Sequence, residues 1–200
     1  MQKFAIFKKT DKFYWTKNRT IYSILFFCIS IVFIKQKLFH IKSEVIEMIF
    51  GGGAAITGFV GFFWSLFGFE TPDSLKGKLE GFIIFKNDAI EIEEENFPIS
   101  SLKNIEILNE DYYGKRSIRS KGDFNSTFSN GVNNYITITL LSNKQKKYYY
   151  QLLNSDDFRK VRQELIEYYK QGKMTFENVC NVLGEESQKE VEDFKVELSK

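Results

Sequence analysis

Residues 48–69 read MIFGGGAAITGFVGFFWSLFGF, 22 residues without one charged side chain. As an α-helix this segment is about 33 Å long, which matches the ~30 Å hydrocarbon core of a bilayer. It contains six glycines, and each glycine disfavours a helix in water by about 1 kcal/mol relative to alanine. The segment therefore predicts a transmembrane helix rather than a helix exposed to water.

Small residues recur along this segment at the spacing that lets two membrane helices approach closely. One row consists of Gly53, Thr57 and Gly61, and a second of Ala54 and Gly58. Residues four apart lie on the same face of a helix, and small side chains there favour helix–helix packing in a bilayer. We expect these five residues to pack against a preceding helix of the same chain, with a homodimer face as the alternative.

A second apolar run precedes it: residues 20–34 read TIYSILFFCISIVFI and are also uncharged. As a helix the run reaches only about 22 Å, but the flanking Arg19, Lys35 and Lys37 can extend towards the headgroups and lengthen the span. A buried core helix and an uncleaved signal sequence are the alternatives. A signal peptide is disfavoured, because no small-residue cleavage pattern follows the run. We expect a transmembrane helical hairpin over residues 20–69, with spans at about 20–36 and 48–69.

Basic residues are distributed unevenly around the two runs. Nine Lys or Arg lie before the first run or shortly after the second, against three in the connecting loop. Because cytoplasmic segments carry the excess of Lys and Arg, this asymmetry predicts a multi-pass protein of the inner cell membrane with both termini in the cytoplasm. Residues 1–19 are then a basic cytoplasmic N-terminus.

After a short linker at residues 70–75, the hydrophobic pattern changes to the period of β-strands. Apolar or alternating stretches predict strands at 79–85, 89–93, 135–141 and 146–153, with a further strand around Ile105 and Ile107. The pattern predicts a domain that begins at residue 76, and we expect a fragment that starts at Ser74 to fold without the hairpin.

Helical patterns close the chain. Gly172 ends an amphipathic helix that follows the last strand, and Gly184 ends a short second helix. Ser187 and Glu190 form a capping box that predicts the start of a third. The first helix carries one apolar stripe at helical spacing, formed by Phe158, Val161, Leu165 and Tyr168.

Three stretches of the region 76–171 carry a resemblance in strand order and hydrophobicity to a known family: GFIIFKNDAIEIEEENFPISSLKNIEI, NNYITITLLSNKQKKYYYQL and SDDFRKVRQELIEYY. With these stretches the region resembles bacterial pleckstrin-homology-like (PH-like) domains. The resemblance implies an antiparallel β-barrel or sandwich capped by a C-terminal helix, often preceded by a transmembrane hairpin. The expected fold class is a membrane-anchored α+β protein: two transmembrane helices, the PH-like domain at 76–171 and a C-terminal helical extension at 172–200.

Residues suited to catalysis or metal binding are scarce. The chain has one histidine, His40, in the loop predicted to lie outside, and two distant cysteines, Cys28 and Cys180. Such a set does not complete an ordinary zinc site or a nucleophile–histidine pair. The glutamates at 93–95 are typical of a solvated turn, because consecutive strand residues face opposite sides. We expect no catalytic residue, no metal and no cofactor, and a protein that is not an enzyme.

Four cations lie within seven residues of the longest predicted loop, and we call them the basic cluster: Lys115, Arg116, Arg119 and Lys121. Near a leaflet that carries anionic lipid, each Lys or Arg contributes about 1 kcal/mol of attraction. The cluster is therefore a candidate site for an anionic surface, and a loop that serves only solubility is the alternative. Residues 76–200 hold 19 basic and 21 acidic side chains, so nucleic acid is not an expected partner.

Together these features predict a membrane-anchored, non-enzymatic binding or scaffolding module in the cytoplasm. Its expected partners are the lipid bilayer and a protein of unknown identity, recognised by the domain, or anionic lipid headgroups. The alternative is an accessory or regulatory subunit of an integral membrane complex, which it contacts through the glycine-rich second span.

Overall fold

The computed structural model describes residues 2–37, 44–66, 72, 74–116, 126–185 and 187–198. The chain forms two compact units. The sheet unit comprises Met1–Thr10, Ser74–Lys115 and Ser129–Lys200, and the helical unit comprises Asp11–Asp73 and Arg116–Phe128. The elements in chain order are β1 (Lys3–Lys9), α1 (Lys17–Lys37), α2 (Glu44–Leu66), β2 (Gly77–Phe85), β3 (Ala89–Ile92), β4 (Glu95–Pro98), β5 (Leu102–Leu108), β6 (Tyr113–Arg116), β7 (Phe128–Asn130), β8 (Asn134–Leu140), β9 (Gln145–Tyr150), α3 (Arg162–Lys170), α4 (Phe176–Leu183) and α5 (Gln188–Leu198).

The helical unit is built on α1 and α2, two helices that are long and apolar enough to cross a membrane. Along α1, Ile21, Cys28 and Lys35 are buried at intervals of seven residues, the repeat of a helix–helix seam. At the end of the seam nearest the connecting loop, the Lys35 ammonium lies 2.6 Å from a carboxylate oxygen of Glu47. The two helices extend over the expected spans, except that residues 67–69 lie outside the described part of the chain.

The sheet unit contains a seven-stranded antiparallel sheet in the order β4-β3-β2-β1-β9-β8-β5, and β6 and β7 form a separate two-stranded sheet. Its central strand is β1, which pairs with β2 and, on its other side, with β9. Phe4 and Ile6 of β1 point into the core and are only 2% and 3% exposed. The assignment of residues 1–19 to a basic N-terminus and of the domain to 76–171 therefore omits the middle strand of the sheet.

The sheet curves until its two edge strands meet at one end. The edge strands β4 and β5 are joined only by a short 3-10 turn, Ile99–Ser101. Although β9 lies four positions from β4 in the sheet order, the rings of Phe97 on β4 and Tyr148 on β9 are 6.5 Å apart. This contact between distant strands gives the sheet a barrel-like curvature with a continuous apolar interior.

The segment from Asp157 to α3 packs against this interior. Its first turn, Asp157–Val161, is a 3-10 helix rather than the α-helix that the sequence predicts. The Phe158 ring stacks on Phe4 of β1 at a centroid distance of 4.6 Å, and the Tyr168 hydroxyl donates to the Ala89 carbonyl at 3.2 Å. Burial raises the pKa of Tyr168. The apolar stripe is confirmed, since all of its residues are buried: Phe158, Val161, Leu165 and Tyr168.

The outer edge of β5 is covered by α4 and by the segment that connects α3 to it. The Ile105 N–H donates to the Lys173 carbonyl at 2.7 Å. The Asn178 side-chain amide accepts from the Ile107 N–H at 3.0 Å and donates to the Ile107 carbonyl at 2.8 Å. These contacts occupy backbone groups that an uncovered edge strand would offer to another chain.

The last two helices begin and end where the sequence predicts. The Thr175 hydroxyl accepts from the Asn178 N–H at 3.1 Å at the start of α4, and Gly184 ends this helix with a left-handed φ of 73°. The capping box at α5 is present, because the Glu190 N–H donates to the Ser187 hydroxyl at 3.2 Å and the Ser187 N–H donates to the Glu190 carboxylate at 2.9 Å. Both helices belong to the sheet unit.

Candidate functional site

Two residues of the basic cluster lie in the described part of the chain, at the end of β6. Lys115 and Arg116 are both exposed. The Lys115 ammonium donates to the Glu110 carbonyl and lies 5.9 Å from the centre of the Tyr112 ring. Arg119 and Lys121 lie outside the described residues. The structure therefore places half of the predicted cluster on a strand end, with its cationic groups accessible to solvent.

A buried hydrogen-bond network holds the chain that leads into the cluster. The Asp111 N–H donates to the Asn134 side-chain oxygen at 2.8 Å, and the Asn134 amide donates back to the Asp111 carbonyl at 2.6 Å. The Asp111 carboxylate accepts from the Ser129 hydroxyl at 2.7 Å. Asn134 is fully buried. Its hydrogen bonds to the backbone of Asp111 satisfy this polar side chain in the core and fix the chain that leads into β6.

Glycine is required at position 131, just after β7. Gly131 has a φ of +69°, and a Cβ there would lie 2.3 Å from the Leu152 carbonyl oxygen and 2.5 Å from the Tyr113 nitrogen. The Tyr113 N–H donates to the Leu152 carbonyl at 2.8 Å. This hydrogen bond joins the start of β6 to the chain just after β9. A side chain at position 131 would break this contact.

Lys115 also lines an open cleft of about 730 Å³ between β5, α4 and the turn before α3. Arg159 contributes a second cation to the cleft, and Glu106, Glu110 and Asp156 contribute three carboxylates. The remaining polar side chains of the cleft are three asparagine amides and the hydroxyls of Tyr112 and Ser155. Because the carboxylates outnumber the cations, the cleft does not present the single positive sign that an anion site needs.

The predicted packing residues of α2 divide between two sides of the helix. Gly53 faces α1, since a Cβ there would lie 3.6 Å from the Cys28 sulfur, and Gly61 is buried. Thr57 and Ala54 are half-buried, and Gly58 is exposed, with nothing within 4 Å of where its Cβ would lie. The row of Gly53, Thr57 and Gly61 is thus turned towards α1, whereas Gly58 lies on the outer side.

The pairing of β1 with β2 creates a basic surface that no single stretch of sequence contains. In the register of the two strands, Lys8 lies opposite Lys78 and Lys9 lies opposite Gly77, and the Thr10 N–H donates to the Lys76 carbonyl at 3.3 Å. The strands approach closely here, because a Cβ on Gly77 would lie 2.4 Å from the Phe7 ring. We call the four lysines at this end of the sheet the lysine collar: Lys8, Lys9, Lys76 and Lys78.

One member of the lysine collar is neutralised and three are not. The Lys8 ammonium lies 2.6 Å from a Glu93 carboxylate oxygen and 3.8 Å from Glu80. The hydrogen bond to Glu93 raises the pKa of Lys8. Lys9, Lys76 and Lys78 are exposed and form no ion pair within the described residues.

The lysine collar is the feature of the site that sequence reasoning missed. Its lysines are visible in the sequence but lie at residues 8–9 and 76–78, on either side of the two apolar helices. The available signal is the alternation of Phe4 and Ile6, which are apolar on one face of a short strand. If residues 3–9 are recognised as a strand that pairs with β2, the two lysine pairs are expected to lie side by side.

Groups suited to metal binding or nucleophilic chemistry do not cluster in the described part of the chain. There, no set of three or more His, Cys, Asp or Glu side chains is arranged to hold a metal ion. Cys180 is buried, and burial raises the pKa of its thiol. Glu93 and Glu95 form ion pairs with Lys8 and Lys146 in and beside a tight turn. His40 lies outside the described residues.

No family profile, curated protein or solved structure matches this chain.

Proposed function

We propose that the protein is a non-enzymatic binding module held at the inner membrane by a helical hairpin. In this proposal α1 and α2 span the bilayer, and a PH-like domain in the cytoplasm binds a protein partner or anionic lipid headgroups. The single observation that carries the proposal is the position of the apolar helices in the chain. They are inserted between β1 and β2, two neighbouring strands of one sheet.

This insertion supports a hairpin that returns to the side from which it left. Lys9 pairs with Gly77 in the sheet, so the chain before α1 and the chain after α2 end at adjacent positions. A single crossing, or any odd number of crossings, would separate β1 from β2 by the whole bilayer. Two crossings keep them together, and both helices have the length that a crossing needs.

The distribution of charge supports the cytoplasm as that side. The lysine collar supplies four of the nine basic residues that flank the two apolar runs, and such an excess marks cytoplasmic segments. Both termini are then cytoplasmic, as the sequence predicts.

The strand order supports a PH-like domain. Apart from the small sheet of β6 and β7, the seven strands form a single antiparallel sheet, and each strand that follows another in the chain lies beside it or is joined to it by a short turn. The helix α3 and the turn before it pack on the open interior. In the proposed function the basic cluster contacts anionic headgroups: Lys115, Arg116, Arg119 and Lys121.

Thiol labelling in whole cells tests the anchoring and its orientation. We expect Ser43→Cys to react with an impermeant thiol reagent added outside the cells, and Lys144→Cys to react only after the cells are permeabilised. The unmodified chain is the matched control, because Cys28 and Cys180 are both buried. Labelling of Lys144→Cys from outside, or extraction of the protein from membranes by alkaline carbonate, would contradict the proposal.

A second candidate function is an accessory subunit of a membrane complex, and one observation favours it. On α2, Gly51, Ala55 and Gly58 are exposed within the helical unit, and the two glycines have nothing within 4 Å of the position that a Cβ would take. Small residues on an outer helix face permit close approach of another membrane helix.

Purification in mild detergent separates the two candidates. If the protein is a subunit, a stoichiometric membrane partner copurifies and is lost with Gly58→Leu. If it is a binding module, a soluble partner held by the domain copurifies, and it copurifies equally well with Gly58→Leu. Phe59→Leu, at an exposed position one residue away, is the control for bulk in the span.

A further inference from the structure

The lysine collar lies at the end of the sheet where the chain leaves for α1 and returns from α2. Residues 10–16 connect β1 to α1, and residues 67–76 connect α2 to β2. Seven residues span at most about 25 Å when fully extended. Both connections start within or beside the collar, so no other basic group of the sheet unit is tied to the apolar helices by so short a length of chain.

Three lysines of the collar are available for an external partner. Elsewhere in the described sheet unit, Lys86 is paired with Glu91, and Lys146 is paired with Glu95. In the collar, Glu80 and Glu93 both face Lys8. Lys9, Lys76 and Lys78 therefore retain their charge for a partner that is anionic.

We propose that the lysine collar binds the anionic headgroups of the bilayer and holds the β1–β2 end of the domain at the membrane surface. The inference rests on the proposed membrane anchoring and adds a lipid-binding surface separate from the basic cluster. The occupant follows from charge and from chain length, because the surface nearest to the anchored helices along the chain is that of the bilayer. Each lysine near an anionic leaflet gains attraction that falls off within a Debye length.

The collar also uses its lysines on both faces of the strand pair. Lys8 and Lys9 are successive residues of β1 and therefore point to opposite faces of the sheet, and Lys78 lies on the face of Lys8. Cations on both faces at a strand end suit contact along the end of the sheet. A surface that lay flat against one face would use only half of them.

Lysine labelling of the full-length protein in liposomes tests this inference. The protein is reconstituted into phosphatidylcholine alone and into phosphatidylcholine with one third phosphatidylglycerol, treated with an impermeant amine-reactive ester, and analysed residue by residue by mass spectrometry. We expect Lys9, Lys76 and Lys78 to react about fivefold more slowly in anionic liposomes at low salt, the ratio that corresponds to about 1 kcal/mol per lysine. This protection should disappear at 0.5 M salt because the charges are screened.

Internal controls make the result specific. Lys144 and Lys170 are exposed residues of the same unit, and their labelling should be the same in both lipids. The rates of the collar lysines are expressed relative to them, which removes differences in protein orientation. Equal relative rates for the collar lysines in the two lipids would overturn the proposal. Protection in native membranes that is absent from anionic liposomes would also overturn it and would assign the collar to a protein partner.

Failure of the inference can be told from failure of the proposed function. Alkaline carbonate extraction of the same liposomes reports whether the protein is anchored. Labelling of Lys115 reports the basic cluster independently of the collar. An anchored protein with unprotected collar lysines would contradict the collar inference alone, whereas a protein released by carbonate would contradict the anchoring on which both depend.

Matched variants provide a second readout. We expect the thermal unfolding temperature of the domain to be higher in anionic than in neutral liposomes. That difference should be lost in the triple variant Lys9→Gln, Lys76→Gln and Lys78→Gln. The control variant Lys144→Gln, Lys170→Gln and Lys189→Gln removes the same charge at other exposed positions and should retain it. Equal behaviour of the two triple variants would contradict a specific role of the collar.

Discussion

β1 and α5, the first and last elements of the chain, both belong to the sheet unit but contribute to it in different ways. β1 is hydrogen-bonded on both sides in the middle of the sheet, and Phe4 stacks on Phe158 in the core. In α5, Gln188–Leu198, Phe194 is the single buried side chain. The terminal strand therefore lies at the centre of the sheet, whereas the terminal helix packs on the domain from outside the sheet through one buried side chain.

The contacts of α5 show how a surface attachment is made. The Phe194 ring stacks on Phe176 at 5.9 Å, and the Arg162 guanidinium lies 4.7 Å from the centre of the Phe194 ring. Arg162 also lies 2.5 Å from Glu197 and 3.3 Å from Glu185. Phe194 joins the apolar interior, Leu198 packs against it, and partly exposed ion pairs complete the contact, so we expect α5 to separate from the domain more easily than β1.

Removal of β1 should have the largest effect. A fragment of residues 74–200 lacks the central strand, and we expect it to show no cooperative unfolding transition. A chain in which Asn-Gly replaces residues 11–75 should regain the transition, because Thr10 and Lys76 are already hydrogen-bonded neighbours and Asn-Gly suits a tight hairpin. Circular dichroism during heating measures both. Cooperative unfolding of the 74–200 fragment would remove the distinction between β1 and α5.

A single substitution in β1 should have the next largest effect on stability. Phe4→Ala deletes a core side chain that is 2% exposed, and we expect a loss of about 3–5 kcal/mol in the free energy of unfolding. Urea unfolding of the full chain in detergent, followed by circular dichroism, measures the loss. Lys3→Ala at the adjacent exposed position should change it by less than about 0.5 kcal/mol. Similar values for the two variants would argue that β1 is loosely held.

The corresponding substitution in α5 should have a smaller effect on stability, confined to the docking of that helix. Phe194→Ala removes the buried anchor of the helix, and we expect α5 docking to weaken by about 1.5–3 kcal/mol, while the main unfolding transition stays in place. Limited proteolysis should then cut the chain between α4 and α5 sooner than in the unmodified protein. A fall in the unfolding temperature of the main transition equal to that caused by Phe4→Ala would show that α5 is as integral to the fold as β1.

A pH-dependent contribution comes from the turn that presents Phe158 to β1. Burial alone would raise the pKa of Asp157. Hydrogen bonds from the Lys160 ammonium at 2.6 Å and the Asn154 N–H at 2.9 Å outweigh this effect and lower it. A carboxylate with a lowered folded-state pKa stabilises the fold above its unfolded-state pKa of about 4, and this stabilisation is lost as the pH falls through the folded-state value.

Asp157→Asn tests that contribution. We expect it to cost about 1–2 kcal/mol at pH 7, and the difference from the unmodified protein should shrink as the pH falls below about 4. Asp156→Asn, at the exposed neighbouring position, is the matched control and should cost little at either pH. A cost for Asp157→Asn that is the same at pH 7 and pH 3 would contradict the assigned ionisation.

The parts of the fold that the sequence predicted are those with local signals. The stripe that includes Leu165, the left-handed Gly184 and the capping box at Ser187 all depend on residues within a few positions of one another. The local signal of β1 is limited to the alternation of Phe4 and Ile6, and its pairing partners β2 and β9 lie beyond two apolar helices. The pairing of β1 with β2 closes a loop over the long insertion between them. Whether that pairing forms depends on tertiary packing, which a pattern within a few residues does not reveal.

The candidate site divides in the same way. Lys115 and Arg116 are neighbours in sequence, and the structure places them together on an exposed strand end. The lysine collar exists only because Lys8 and Lys78 become opposite residues of paired strands. In the sequence these lysines indicate only the orientation of the hairpin in the membrane. The pairing of β1 with β2 brings them together on one surface.

Cross-strand disulfide formation in native membranes shows whether β1 pairs with β2 although two helices separate them in the chain. Ala5 and Phe82 are opposite residues of β1 and β2, and paired strand residues lie within the Cα distance that a disulfide needs. The variant with Ala5→Cys and Phe82→Cys carries a protease site within residues 38–43 and is oxidised before cleavage. We expect the two fragments to remain joined until the disulfide is reduced. The control variant carries Ala5→Cys and Thr137→Cys. Because Thr137 lies on β8, which does not neighbour β1, this control should give separate fragments. Separate fragments from the Ala5 and Phe82 pair, with both thiols reactive, would contradict the claim.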